Sequence, residues 1–101
     1  WPRLRDCSHL GLSVLAQDQG AACRSLSMKQ GDRFASVPWV SRGDGAVFVH
    51  GATVWLHCTL RNEFAAGDHV IALMQIHGLR ADPDAAPLVF HGSKFRQLVV
   101  L

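Results

Sequence analysis

Apolar and polar residues alternate through most of the second half of the chain, which is the pattern of half-buried β-strands. Within a predicted strand over residues 53–60, the even-numbered residues from Val54 to Leu60 share one face, and Trp55 and His57 share the other. From His69 to Leu79 the apolar residues occupy both faces of the first half. This pattern predicts a long strand that is covered on both sides.

The first half of the chain has shorter segments separated by turn residues. Phe34 and Trp39 are expected to anchor a loop over 33–45, in which Pro38 and two glycines interrupt any period. The other predicted elements, in order, are the end of a helix over 1–7, a short strand over 12–15 buried on both faces, a helix over about 20–28 capped by Asp18, a strand over 46–50, and a closing hairpin over 88–91 and 95–98 around Gly92-Ser93.

Length and composition agree with one small domain. The chain has 101 residues, of which 49% are hydrophobic, enough for a single core but not for two. A net charge of +2 with scattered Lys and Arg does not favour nucleic acid as a partner. No apolar run approaches the roughly 20 residues of a membrane-spanning helix, and no signal peptide is visible. We therefore expect no membrane association and a cytoplasmic location.

The cysteines and histidines do not predict a metal site. Three cysteines without a C-x-x-C pair argue against disulfides and structural zinc. His57 and Cys58 are neighbours on a strand, so they point to opposite faces, and Cys7 with His9 offers only two ligands. The histidines His50, His57 and His77 are interpreted as ordinary strand residues. We expect no bound metal, and buried, inert thiols.

A turn containing an acid and a histidine opens the long strand. In Gly67-Asp68-His69 the glycine permits the tight turn, and the aspartate can accept a hydrogen bond from the imidazole N–H. A second histidine, His91, ends a later strand. A solvated hairpin turn would have the same spacing, so spacing alone does not assign a function.

The residue identities in these segments are a more specific signal than their spacing. The run GDHVIALMQIHGLRADPDAAPLVFHGSKFRQL resembles the C-terminal part of the flavin reductase-like domains, which are FMN-binding split barrels, with their GDH turn and PLvF(H/Y)-x-G-x-(F/Y) segment. Upstream, GLSVLAQDQGAACRSLSMKQGDRFASVPW is similar to the family's strand, "VNVL..DQ" turn, helix and F(A/G)SK segment. The resemblance extends from Trp1 to about Leu98, with the motifs in the family's order.

This resemblance implies a mainly β fold, a partial split barrel with one helix, formed by residues 1–101 as a single domain. The family's Thr/Ser-rich runs near the N-terminus, "T-x-N-S-F-x-S-x-S" and "C-x-N-x-x-S-x-T", do not occur in this sequence. The chain opens at Trp1 without an initiator methionine. We therefore expect a chain that lacks the N-terminal strands of the family.

The resemblance also implies site residues. Ser27 and Lys29 match the segment expected to touch the flavin, and Arg33 adds positive charge beyond a helix end whose dipole does not favour phosphate. Ser13 stands where the family carries asparagine, and it would contact the flavin edge or be satisfied within the sheet. His69 and His91 are the catalytic candidates, expected to position the nicotinamide or to help protonate the reduced flavin.

The function implied is NAD(P)H-dependent reduction of FMN or FAD by a homodimer, with the reduced flavin passed to a flavin-dependent monooxygenase. The alternative is a split-barrel dimerisation or binding module, free of flavin or carrying it, without reductase activity. A serine hydrolase is rejected because no G-x-S-x-G elbow occurs. Rossmann and P-loop sites are rejected because neither glycine motif is present.

Overall fold

The computed structural model describes residues 1–101 and contains seven strands and one helix. The fold is mainly β, as the sequence predicted. In chain order the elements are β1 (Leu10–Val14), α1 (Gly20–Leu26), β2 (Trp39–Ser41), β3 (Val47–Val49), β4 (Val54–Ala66), β5 (His69–Ala81), β6 (Val89–His91) and β7 (Lys94–Arg96).

The central sheet has three antiparallel strands in the order β1-β4-β5. Strands β4 and β5 have 13 residues each, so this hairpin is about 40 Å long at about 3.3 Å per residue. Its tip is the turn at Gly67, whose φ of 65° lies in the left-handed region that glycine adopts without a steric penalty. Two register irregularities, next to His57 and next to Leu60, change the alternation of faces along the hairpin.

A second hairpin, formed by β2 and β3, lies on one face of the sheet. The indole N–H of Trp55 donates to the Val49 carbonyl at 2.7 Å, and the rings of Trp55 and Phe48 are 5.1 Å apart. Gly11 faces the β3 backbone so closely that a Cβ there would overlap the Val47 carbonyl group. Phe48 is almost fully buried at this contact, which is the best-packed part of the molecule.

The single helix begins as predicted but is capped differently. Asp18 makes no cap, and Gln19 occupies the N-cap position without a side-chain cap hydrogen bond. The Gln19 amide instead accepts from the Ala16 N–H at 2.9 Å and donates to the His50 carbonyl at 2.8 Å. It therefore ties the start of the helix to the ends of β1 and β3. This use of the side chain depends on contacts distant in sequence.

Three further predictions for the first half are wrong. Residues 1–7 form hydrogen-bonded turns rather than a helix end, because only isolated bonds close there, such as Leu4 N–H to Trp1 O. The predicted loop over 33–45 contains β2, which pairs with β3. A strand of three residues is too short to show an alternating pattern in the sequence. Phe34 and Trp39 contact each other with ring centroids 6.5 Å apart but stay about half exposed, and Val37 is the buried anchor.

The expected burial of strands on both faces is also wrong for this chain. Most apolar residues of β5 are exposed, including Val70 at 53% and Ile71 at 58%, and in β1 Leu10 is buried but Leu12 and Val14 are exposed. The cause is that no other strand or helix packs over the outer half of the β4–β5 hairpin, which only Trp1 and Arg5 reach, through bonds to the Glu63 carboxylate. Only eight of the 101 residues are buried. Apolar surface of this extent is typical of a protein interface.

The helix α1 has seven residues, and no helix of the structure has the length and apolar character that a bilayer crossing requires.

Candidate flavin-binding cleft

The cleft with the chemistry of a ligand site lies between α1 and the β6–β7 hairpin. Its volume is about 710 Å³, within the range of small-molecule and cofactor sites. Its lining combines two cations, two hydroxyls, a thiol and two phenyl rings, contributed by Cys23, Arg24, Ser27, Phe90, Ser93, Lys94 and Phe95. Such a surface can hold a flat aromatic ring together with an anionic group.

The β6–β7 hairpin is built by its turn. Gly92 and Ser93 both have positive φ, 62° and 61°, as a two-residue turn between tightly twisted strands requires. The register pairs Phe90 with Phe95 and His91 with Lys94. The sequence predicted this hairpin and its turn correctly. The turn places the Ser93 hydroxyl and the Lys94 ammonium on the rim of the cleft.

The helix supplies the opposite wall. The Arg24 guanidinium lies 4.9 Å from the centre of the Phe95 ring, a cation–π contact that connects α1 to β7. Phe95 packs edge-on against Phe90, with centroids 5.5 Å apart. At Gly20 a Cβ would touch the Phe95 ring at 3.4 Å, so the helix start also lies close to the hairpin. Arg24 is therefore held over the cleft by packing.

Of the four predicted cofactor-binding residues, the structure places Ser27 in this cleft. Its hydroxyl donates to the Cys23 carbonyl at 2.7 Å, which leaves its oxygen lone pairs free to accept from a ligand. Lys29 and Arg33 are exposed and do not line the cleft. The Ser25 hydroxyl donates to the Arg33 carbonyl at 3.1 Å, which ties the segment after the helix to α1.

Ser13, the fourth, lies on the face of the sheet covered by the β2–β3 hairpin. Its Oγ accepts the backbone N–H of Val49 at 3.0 Å. This is the arrangement in which the serine is satisfied within the fold. Ser13 lines a separate apolar cavity of about 420 Å³ along β1, together with Leu10, Leu26 and Met74.

The two candidate catalytic histidines lie far apart in this chain. His69 is at the tip of the β4–β5 hairpin, with a side chain that is 81% exposed, and its Nδ1 is 2.6 Å from the Asp68 carboxylate. The predicted Asp68–His69 hydrogen bond is thus present. His91 is on β6, which follows the opposite end of β5, about 40 Å away along the strand. The structure does not bring the two imidazoles together within one chain.

Residues that sequence reasoning missed are Arg24, Ser93 and Lys94. The quoted segments contain all three, but no site role was predicted for any of them. The signal available in the sequence was a lysine directly after a Gly-Ser turn, since two-residue turns present the flanking side chains on one side of the hairpin.

Comparison with known proteins identifies the family. Residues 1–99 match the flavin reductase like domain. The chain belongs to this family.

Several relatives have described functions. The chain is 28% identical over 98 residues to an actinorhodin polyketide dimerase of Streptomyces coelicolor, covering 97% of this chain and 55% of that protein. It is 23% identical over 95 residues to HsaB, the reductase subunit of a flavin-dependent monooxygenase of Rhodococcus jostii, covering 94% of this chain and 49% of HsaB.

The fold is also that of solved flavin reductases. The NADH:FAD oxidoreductase SgcE6 of Streptomyces globisporus, solved with NAD and FAD fragments, superposes with a TM-score of 0.89 at 29% identity. That alignment covers 97% of this chain and 60% of SgcE6. The chain thus spans about half to three fifths of the length of these relatives.

Proposed function

We propose that this chain forms part of an NAD(P)H-dependent flavin reductase, and that the cleft between α1 and the β6–β7 hairpin binds part of FMN or FAD. The observation that supports it is the lining of the cleft, where phenyl rings and hydroxyls lie next to two cations. Membership of the flavin reductase like family agrees with it. Reduction would transfer a hydride from the nicotinamide to the flavin, and a proton would follow from solvent or a side chain.

The chain's residues would divide the binding between them. Arg24 and Lys94 would neutralise the flavin phosphate, because helix α1 presents its C-terminal end here and cannot stabilise an anion by its dipole. Ser27 and Ser93 would hydrogen-bond to polar edges of the ligand. Phe90 and Phe95 would exclude water from one side of it. Lys29 and Arg33, which are outside the cleft, would act only through the longer-range field.

We also propose that the protein is a homodimer, in which the β4–β5 hairpin packs against a second copy. Phe64 and Ile71 face each other across β4 and β5 and are 48% and 58% exposed, with Leu73 beside them. Apolar surface of this kind is stabilised by burial at about 25 cal/mol per Å². In a dimer the tip of the hairpin, with His69, would reach the cleft of the second copy, at whose edge Lys94 pairs with His91 across β6 and β7.

Sedimentation of the purified protein tests the dimer. Ile71→Asp is expected to produce monomers, because it buries a charge in the interface, while Gln17→Asp, on the exposed turn between β1 and α1, should leave the dimer intact. A monomeric wild-type protein, or equal effects of both substitutions, would contradict the arrangement. If the dimer forms, His69→Ala should lower the rate of NADH oxidation without changing flavin affinity.

The reductase proposal is tested by flavin binding and turnover with the same preparation. We expect FMN or FAD to bind in the micromolar range or better and NADH or NADPH to be oxidised only when flavin is added. The reduced flavin would then be available to a flavin-dependent monooxygenase, as in the HsaB system. Absence of flavin binding would refute the proposal.

A second candidate is a binding module without reductase activity, carrying flavin or free of it. It is favoured by the positions of Ser13, which is engaged by Val49, and of His69, which is far from the cleft. Flavin binding without NAD(P)H oxidation would identify a carrier. A protein that neither binds flavin nor oxidises NAD(P)H, yet remains dimeric, would identify a dimerisation module.

A further inference from the structure

A cluster of metal-ligating side chains lies away from the flavin cleft, on the face of the sheet covered by the β2–β3 hairpin. It consists of His9, Asp44 and His57, whose donor atoms all lie within 4.8 Å of one another. None of the three lines the cleft between α1 and the β6–β7 hairpin. Nothing in the proposed flavin chemistry uses them.

The fold brings the three residues together from separate elements. Gly11 pairs with His57 across β1 and β4, so His9, two residues earlier, projects from the same face as His57. Asp44 belongs to the β2–β3 turn. That turn is closed by the Arg42 N–H bond to the Ala46 carbonyl at 2.8 Å. The Ala46 N–H donates to Asp44 Oδ1 at 3.1 Å, which leaves Oδ2 directed at the histidines.

The contacts within the cluster are incomplete. Asp44 Oδ2 is 2.7 Å from His57 Nε2, a hydrogen bond, but 3.7 Å from His9 Nδ1, which is too far for one. His9 Nδ1 is shielded from solvent and has no hydrogen-bond partner. A buried imidazole nitrogen without a partner is unfavourable and needs an explanation. A bound cation that accepts the lone pair of His9 Nδ1 would provide that explanation.

The charge of the cluster also suits a cation. Asp44 is a carboxylate, so it brings one negative charge to the two imidazoles. Arg42, the cation on the same turn, lies over the Phe48 ring, 5.7 Å from its centre, rather than on the carboxylate.

We propose that His9, Asp44 and His57 form a binding site for a divalent first-row transition metal ion, with Zn²⁺ as the representative case. Two imidazoles and one carboxylate are a common ligand set for such ions and leave positions open to water. This departs from the expectation, drawn from sequence, that the chain binds no metal. The metal would connect the β2–β3 turn to β1 and β4, and so stabilise the hairpin on the sheet.

Closing the site requires a small local movement. The His9 and His57 rings are stacked 5.2 Å apart at 15°, so their nitrogens do not point at one position. His9 is about a third exposed and can rotate about χ2 to direct Nδ1 at the metal. Tetrahedral ligand atoms at metal distances of about 2.0–2.2 Å are roughly 3.3–3.6 Å apart. The Asp44 and His57 atoms, now 2.7 Å apart, must therefore separate by roughly 0.6–0.9 Å, which exchanges their hydrogen bond for metal bonds.

Titration of the chelator-treated protein with Zn²⁺ and with Co²⁺ tests the proposal. We expect one ion per chain and an increase in melting temperature with Zn²⁺. The Co²⁺ form should show visible d–d absorption without sulfur-to-metal charge transfer, because no thiol is in the site. Asp44→Asn and His9→Phe should each weaken binding by more than about tenfold, since even indirect partners of metal sites cost 10–100-fold.

These substitutions are chosen so that the chain still folds. Asparagine at 44 can keep the turn's bond from the Ala46 N–H, and phenylalanine at 9 can keep the stack on His57. His50→Ala, a histidine on the surface outside the cluster, and Cys7→Ser are the matched controls and should bind as the wild type does. Absence of one-to-one binding, binding retained in Asp44→Asn and His9→Phe, or loss in either control would overturn the proposal. Flavin affinity is measured on the same variants and should not change.

Discussion

Ser13 Oγ accepts the backbone N–H of Val49 at 3.0 Å, a bond that joins the central sheet to the hairpin lying on it. Val49 is buried, and the Trp55 indole donates to its carbonyl. The Val49 N–H thus depends on a side chain of the sheet beneath, whereas the Val49 carbonyl accepts from both the Trp55 indole and the Ala52 N–H. Ser13, which stands where the family carries asparagine, therefore has a structural role in this fold, as the acceptor of the Val49 N–H.

We therefore predict that Ser13→Ala acts on stability. It would leave the buried Val49 N–H without a partner, at a cost of roughly 1–3 kcal/mol in the free energy of unfolding. Urea unfolding measures this. Ser41→Ala is the control, because the Ser41 hydroxyl is exposed and donates only to the neighbouring Arg42 carbonyl. Unchanged stability together with weaker flavin binding would instead assign Ser13 to the cofactor.

Gly11 is predicted to tolerate no side chain. A Cβ at this position would overlap the Val47 carbonyl, which belongs to the β3 backbone and cannot rotate away. Gly11→Ala should cost about 1–3 kcal/mol or more, as overpacking does in cores, and should lower the melting temperature. At Gly43, where a Cβ would meet nothing within 4 Å, alanine should have little effect. Similar results for the two substitutions would show that the hairpin does not lie this close to β1.

Arg24 and Lys94 are predicted to bind the phosphate of FMN. Arg24→Gln and Lys94→Gln should each weaken FMN binding roughly tenfold, because a charge-assisted hydrogen bond contributes about 1.5 kcal/mol or more. Riboflavin, which lacks the phosphate, should bind the variants and the wild type alike. Lys29→Gln serves as the control, since Lys29 lies outside the cleft. If Lys29→Gln alone weakened FMN binding, the phosphate would lie beyond the helix end instead.

Cys58 is predicted to be the unreactive thiol. It is fully buried, whereas Cys7 is exposed, and loss of hydration raises the pKa of the Cys58 thiol. In the native protein a thiol reagent should modify Cys7 rapidly and Cys58 only after unfolding. Rapid modification of Cys58 in the native protein would contradict its burial. The sequence predicted buried, inert thiols, which holds for Cys58 and is wrong for Cys7.

The same burial predicts a dependence of stability on pH. At a pH between the thiol pKa values of the unfolded and the folded chain, the folded chain keeps the Cys58 proton and the unfolded chain releases it. The contribution of the Cys58 thiol to the free energy of unfolding is therefore complete below the ordinary thiol pKa of about 8.5 and decreases as the pH rises above it. In Cys58→Val the free energy of unfolding should therefore decrease less at alkaline pH than in the wild type. In Cys7→Ser it should decrease as in the wild type. Parallel stability curves for wild type and Cys58→Val would refute the effect.

Local sequence was sufficient wherever neighbouring residues determine structure. The bounds of β5, the Gly-Asp-His turn and the Gly-Ser turn of the last hairpin were predicted within about two residues, whereas the strand predicted over 53–60 continues as β4 to Ala66. Side-chain periodicity and positive φ are properties of short segments, so they can be read without knowledge of the fold. The resemblance to flavin reductases, carried by ordered motifs, predicted the family that the comparison then confirmed.

What the tertiary structure decided depends on residues distant in sequence. Strand β2 exists because it pairs with β3, and most apolar residues of β5 are exposed because no strand or helix other than β4 packs against it. Arg24 and Lys94 form one cleft only because α1 packs on Phe95. His9, Asp44 and His57, each unremarkable in its own segment, converge only when a hairpin turn lies over the register of β1 and β4. Register and packing are set by long-range contacts, which no local pattern contains.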